Sequence, residues 1–222
     1  MRLTALKYGE TTLSEAMVFR GGKQGRMLPI SLTLYLIETE GRRILVDAGC
    51  DTMPGFALTH FCGPVAVLTQ AGIAPDEVTD VILTHRHHDH AEGARHFPGA
   101  RFWIQAEELP GCRKFLPPDA DVQLFEEQTQ VCAGVVARRI GGHTAGSSIV
   151  EVTGGGQIYV ICGDECYSPL CLERGIPTGA SCCPERSEAF LETYRDPRYR
   201  VLLAHDDRIL SGRNGAFRIV ES

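Results

Sequence analysis

The stretch Thr84-His85-Arg86-His87-His88-Asp89-His90 constrains this chain more than any other. It reads H-x-H-x-D-H, three imidazoles and a carboxylate in one short run. Imidazole and carboxylate suit borderline divalent cations such as zinc. The residues before it, Val78-Thr79-Asp80-Val81-Ile82-Leu83, are largely apolar and β-branched and predict a buried strand. A strand that ends abruptly in ligands places them on a loop at a sheet edge. There His85 and His87 can point one way while Asp89 and His90 point another, so one segment serves two adjacent cations. Paired cations suit metal-assisted hydrolysis. His88 falls on a spacer position and is expected to support the site or to face solvent.

A paired site needs more ligands, and the rest of the chain offers them. His143 lies in Ile140-Gly141-Gly142-His143-Thr144-Ala145-Gly146-Ser147, where glycines allow a tight turn that aims the ring inward. Asp164 follows the run Ile158-Tyr159-Val160-Ile161-Cys162-Gly163, and His205 follows Val201-Leu202-Leu203-Ala204. Each comes just past an apolar strand, as the first motif does. A carboxylate at Asp164 is suited to bridge cations about 3.5–4 Å apart. Asp47, at the end of another apolar run, is either a partner that fixes the tautomer of a ligand His or a plain turn residue before Gly49.

With these residues in this order the chain resembles a metallo-β-lactamase superfamily hydrolase. The likeness runs from Leu34-Tyr35-Leu36-Ile37 and Ile44-Leu45-Val46-Asp47-Ala48-Gly49 to Ala204-His205-Asp206. It implies an α/β fold, a four-layer αββα sandwich, formed by the whole of residues 1–222 as one domain. It implies that His85, His87 and His143 hold one metal, that Asp89, His90 and His205 hold the other, and that Asp164 bridges them.

The superfamily is chemically broad, so branches are separated by further residues. Flavodiiron oxidoreductases replace the second His of the motif by Glu, and His87 argues against them. A net charge of −6 with no basic run disfavours nucleic acid as substrate. True β-lactamases are exported, and no export signal is visible. Two features resemble the quorum-quenching N-acyl homoserine lactonases. Tyr167 stands three residues after Asp164, where the lactonase phenol bonds the substrate near its reacting carbonyl; an ordinary packed Tyr is the alternative. The last ligand occurs as His205-Asp206, whereas glyoxalase II usually shows His-Glu. Two departures stand against this. Ser147 replaces a second His found four residues after His143 in many relatives. The chain is also shorter than typical lactonases, which puts a long acyl substrate in doubt.

The implied reaction opens a lactone or small ester by attack of a metal-bridging hydroxide. Tyr167 would stabilise the oxyanion, and Asp89 would pass the proton to the leaving alkoxide. Two divalent cations per chain are expected, zinc from the ligand set, with manganese, iron or cobalt able to use the same atoms. A glyoxalase II-like thioesterase is the alternative, although its anionic glutathione substrate wants a basic patch and none lies near the motifs in sequence. A non-catalytic metal-binding or sensor protein is the third reading, and seven candidate ligands exceed what a closed structural site needs.

The partner is thus a small molecule rather than nucleic acid or membrane, and monomer or homodimer is left open. No apolar stretch approaches the roughly 20 residues of a spanning helix, and the start has no leader pattern, which points to the cytoplasm. Nine cysteines, an odd count without an export signal, argue against a disulfide framework.

Glycine-punctuated runs predict strands over Arg2–Tyr8, Ala16–Arg20, Leu32–Glu38, Arg43–Asp47, Arg101–Ile104, Val131–Ile140, Ser148–Thr153 and Ile158–Ile161, with hairpin turns at Gly41 and Gly154-Gly155-Gly156. Phe56–Ala71 reads as a helix broken at Gly63-Pro64, with Met53, Phe56, His60 and Phe61 as pocket contacts. Short helices are expected over Asp89–His96, Gln105–Phe115 and Pro184–Arg195. Tyr167–Pro184, rich in Cys, Gly and Pro, reads as a pocket-covering loop.

Overall fold

A computed structural model of the chain describes residues 1–206, 208 and 213–221. Its strands are β1 (Arg2–Ser14), β2 (Met27–Thr39), β3 (Arg42–Val46), β4 (Asp80–Leu83), β5 (Arg101–Gln105) and β6 (Asp121–Phe125), then β7 (Gln128–Cys132), β8 (Val135–Arg139), β9 (Ser148–Gly154), β10 (Gln157–Ile161), β11 (Tyr199–Leu202) and β12 (Gly215–Glu221). They form a seven-stranded sheet in the order β12-β1-β2-β3-β4-β5-β6 and a five-stranded sheet in the order β11-β10-β9-β8-β7.

Side-chain alternation explains the layering. Tyr35, Ile37, Ile44, Val46 and Ile82 face the second sheet, where they meet Val135, Val150, Val152 and Ile161. Their neighbours Leu34, Leu36, Leu45, Val81 and Leu83 point the other way, under the helix Pro64–Gln70 and the turn of Phe97. The outer face of the second sheet, with Ile149 and Val160, is covered by Phe190, Leu191 and Tyr194 of the helix Pro184–Tyr194. Strands buried on both faces read as unbroken apolar runs rather than as alternation, which is why β3, β4 and β10 are visible in the sequence. The result is the expected αββα sandwich.

Several local expectations change. Ala16–Arg20 is not a strand: β1 runs on to Ser14, whose hydroxyl accepts the Ala16 N–H and caps the helical turn Glu15–Val18. Val131–Ile140 is two strands, because Gly134 adopts φ 76° and closes a turn between β7 and β8. In Phe56–Ala71 only Pro64–Gln70 is helical, starting after Gly63 at φ 85°. Tyr167–Pro184 carries a helix of its own, Pro169–Arg174, with Ser168 as its cap. No helix among the described residues is long and apolar enough to cross a membrane.

The nine cysteines are free thiols, among them buried Cys50, Cys112, Cys162, Cys166 and Cys171, which act as small apolar fillers. Thiol titration in denaturant without reductant should therefore recover all nine. A Tm that falls on adding reductant would contradict this.

The fold places the site. β3 and β4 lie parallel, and so do β10 and β11. Asp47 and His85 come just after the carboxyl ends of β3 and β4, and Asp164 and His205 just after those of β10 and β11. In open sheets of this kind, the carboxyl ends of strands are where ligands gather.

Candidate metal centre

Ligand atoms of His85, His87, His143 and Asp164 lie within 4.8 Å of one another, and so do those of Asp89, His90 and His205. Asp164 joins the two clusters. Its Oδ1 lies 3.0 Å from His90 Nε2 and 3.0 Å from His205 Nε2. Its Oδ2 lies 3.5 Å from His85 Nε2 and 3.4 Å from His143 Nε2. One carboxylate thus turns one oxygen to each cluster. Every candidate ligand predicted from the sequence is brought together here.

The surroundings of the rings decide which nitrogen is available. His90 Nδ1–H donates to Asp47 Oδ2 at 2.8 Å, and His205 Nδ1–H to the Ser31 carbonyl at 2.9 Å. His143 Nδ1–H donates to the Ala180 carbonyl. Thr84 gives its hydroxyl proton to Asp47 and so accepts from His85 Nδ1–H at 3.1 Å. With these outer partners satisfied, four Nε2 lone pairs converge on one another and on a buried carboxylate. His90 Nε2 and His205 Nε2 are 3.3 Å apart, and His143 Nε2 is 2.8 Å from His87 Nδ1. Ring nitrogens facing each other at such distances must share either a proton or a metal cation. Nitrogen and oxygen donors in this arrangement fit two divalent ions of the zinc class.

Asp47 is the tautomer-setting partner, not a plain turn residue. It adopts φ 64°, a left-handed conformation rare outside glycine, held by the Thr84 N–H at 2.8 Å and by His90. Two buried glutamates were not legible in the sequence. Glu108 accepts from the Arg86 N–H, the Thr144 hydroxyl and the Gly146 N–H, tying the H-x-H loop to the His143 loop. Glu165 accepts from the N–H groups of Gly142 and His143 and from Ser147 Oγ. Ser147, which departs from the family pattern, is therefore a support for Glu165. Burial pushes the Glu165 carboxyl up to about 7. Gly142 has no room for a side chain, since a Cβ would come within 2.3 Å of Glu165 Oε2. The one available signal was an acidic residue inside an apolar run, Asp164-Glu165; Glu108 had none.

The clusters differ in their proton affinity. Burial holds the His85 and His143 imidazoles below their ordinary value. Burial, the largest single influence, would lower His90 and His205 too, but the carboxylates around them, Asp164 and Asp89 for both and Asp47 for His90, together outweigh it and hold both above that value. Conversely, burial alone would raise Asp164, and the charges of His90, His205 and His85 hold it well below the carboxylate range. In the metal-free protein His90 and His205 thus hold their protons more tightly than His85 and His143, and a cation must compete harder for them. A group with a raised pKa holds its proton until the pH exceeds that value, so lowering the pH should empty the His90/His205 half first. Calorimetry in buffers of different ionisation enthalpy should show more protons released there than at the His85/His143 half. Equal proton release at both steps would contradict the assignment.

Two cavities reach the centre. The smaller, about 270 Å³, meets His87, Asp89, His143 and Asp164 and has an apolar wall of Leu13, Met17, Met53 and Phe56. Met53 and Phe56 were expected there; His60 and Phe61 do not line it. Half-buried His88 lines it and packs edge-on against Phe115. The larger, about 560 Å³, meets His205 on its other side. Tyr167 lines both, its ring stacked on His205 at 5.2 Å and its hydroxyl donating to Asp164 Oδ2 at 2.6 Å.

Known proteins are similar to this chain to different extents. An N-acyl homoserine lactonase of Bacillus thuringiensis is 25% identical over 204 residues, covering 79% of this chain and 80% of the relative. A hydroxyacylglutathione hydrolase of Photobacterium profundum is 33% identical over 104 residues, covering 44% of this chain and 37% of that protein. A solved N-acyl homoserine lactone hydrolase with N-hexanoyl-L-homoserine at its catalytic metal centre superposes with a TM-score of 0.81 at 20% identity, covering 96% of each chain. At that identity the superposition speaks for the fold. The model of the metallo-beta-lactamase superfamily matches residues 32–205, from β2 to the last of the convergent histidines, and the chain belongs to that superfamily.

Proposed function

We propose that the protein is a dinuclear metal-dependent hydrolase that opens a lactone or small ester. The observation that carries this reading is Asp164, one oxygen turned to each histidine cluster at the end of an apolar cavity. We assign His85, His87 and His143 to one ion, Asp89, His90 and His205 to the other, and Asp164 to both. Zinc fits the donor set, and the similarity to lactonases favours a lactone. The clusters are not closed on all sides: His87 and Asp89 face the cavity, which speaks against a purely structural metal site.

When bound, the cation pair supplies nucleophilic water at neutral pH and Lewis acidity for the carbonyl. The chain supplies the rest. The apolar wall of Leu13, Met53 and Phe56 excludes bulk water and seats an apolar part of the substrate. Burial, then the Asp164 charge, holds the Tyr167 phenol well above its ordinary value, so it stays a donor throughout the working range. It is placed to share its proton between Asp164 and the developing oxyanion. Asp89 faces the same cavity, with Oδ2 3.6 Å from His205 Nε2, and is placed to take the proton that the attacking water gives up and pass it to the leaving oxygen.

The test is a hydrolysis screen of lactones, aryl esters, thioesters and β-lactams with zinc-loaded protein. Lactone or ester opening that stops on chelation and returns with zinc is the expected result. Full metal content with no turnover in any class would overturn the proposal.

A further inference from the structure

The chain is acidic overall, at −6, yet among the described residues the larger cavity is ringed by Arg20, Lys23, Arg26 and Arg174, with Glu15 the one lining carboxylate. Glu15 is already engaged by Arg26 at 3.1 Å and by the Lys23 N–H at 3.0 Å. Arg20 pairs with Glu188. Among the described residues, Lys23 and Arg174 have no carboxylate partner, so the rim carries uncompensated positive charge. Residues 20–26 are remote in sequence from Arg174, which follows the ligand Asp164 by ten residues. The helical turn Glu15–Val18 and the helix Pro169–Arg174 bring them to one opening. The basic patch that is missing around the motifs in sequence is therefore present in space.

Below the rim the cavity turns apolar, through Val18, Leu28 and Ile30, and ends on the Tyr167–His205 stack. Tyr167 is shared with the small cavity where Asp89 and Asp164 stand. A molecule whose carbonyl lies at the metal centre thus has two directions open to it. One is short and apolar; the other is wide and ends among cations.

We propose that the substrate carries a negatively charged arm that occupies the larger cavity and is held by Lys23 and Arg174. This rests on the hydrolase reading and narrows it: an uncharged acyl lactone would use only the smaller of the two cavities. Concave cationic rims concentrate anions and strengthen their binding most at low ionic strength. The arm can belong to the acyl side or to the leaving group, and the two sources separate by experiment.

N-adipoyl homoserine lactone differs from its N-hexanoyl counterpart only by a terminal carboxylate on the acyl side. The hexanoyl thioesters of mercaptoacetate and of ethanethiol differ by a carboxylate on the leaving group. One charged member should exceed its neutral partner by roughly tenfold or more in kcat/KM at low salt, through KM. In the double variant Lys23→Glu/Arg174→Glu, both at exposed positions, that preference should vanish. Glutarate binding to the zinc-loaded protein, followed by NMR, should weaken in the same variant whether or not any ester is cleaved. No preference in either pair, or one that survives the double variant, overturns the proposal and leaves the hydrolase reading standing. Charge-dependent glutarate binding without any hydrolysis would do the reverse.

Discussion

Asp164→Ala should remove most of the bound metal and lower turnover by roughly 10³-fold or more, the several kcal/mol that a metal pair contributes. The expectation follows from position. Among the described residues, Asp164 is the one carboxylate within 3.5 Å of Nε2 atoms from both clusters, and it is buried. Without it, the two clusters lose the carboxylate they share, and Asp89 remains beside only one of them. His90 and His205 owe the largest part of their raised proton affinity to it, so both should titrate lower in the variant. Asp164→Asn keeps the shape and removes the charge, which separates geometry from electrostatics. Metal analysis of protein purified without chelator should give about two equivalents for the wild type and clearly fewer for Asp164→Ala. Wild-type metal content in both variants would sink the bridging role.

The metal-ligand candidates were legible because their chemistry is dense and their context repeats. Three histidines and an aspartate in one run leave little room for accident, and Asp164 and His205 each follow an apolar run that ends a strand. β4 and the end of β10 were readable because both faces are buried, whereas β11 is an edge strand buried only at Leu202 and showed through Val201-Leu202-Leu203. β6 and β12 were not, since both are edges of the large sheet and expose most of their side chains. Glu15–Val18 was misread because a capping hydroxyl at Ser14 outweighs the β preference of a short apolar run. The supporting glutamates and the cationic rim were invisible for a different reason. Glu108 and Arg174 acquire meaning only from what lies opposite them, and tertiary structure alone supplies that.

Tyr167 was read from the sequence as a donor to the substrate, and its observed partner is Asp164. The two roles are compatible if the phenol, kept protonated by its burial, redirects part of its hydrogen bond when negative charge appears on the carbonyl oxygen. Tyr167→Phe isolates that donor. The ring would keep its stack on His205 and its packing against Leu13, Val18 and Ile30, so the Tm and the metal content should stay near wild type. Turnover should fall by about 10–10², less than the 10²–10³ typical of a lone oxyanion donor because the cations share the load. The loss should appear in kcat with KM little changed, as for an interaction made mainly in the transition state. Because the phenol does not ionise near neutrality, both limbs of the pH–rate profile should survive in the variant. A kcat equal to wild type at full metal content would reduce Tyr167 to packing. A drop in metal content in parallel with kcat would make it a positioning residue for Asp164 instead.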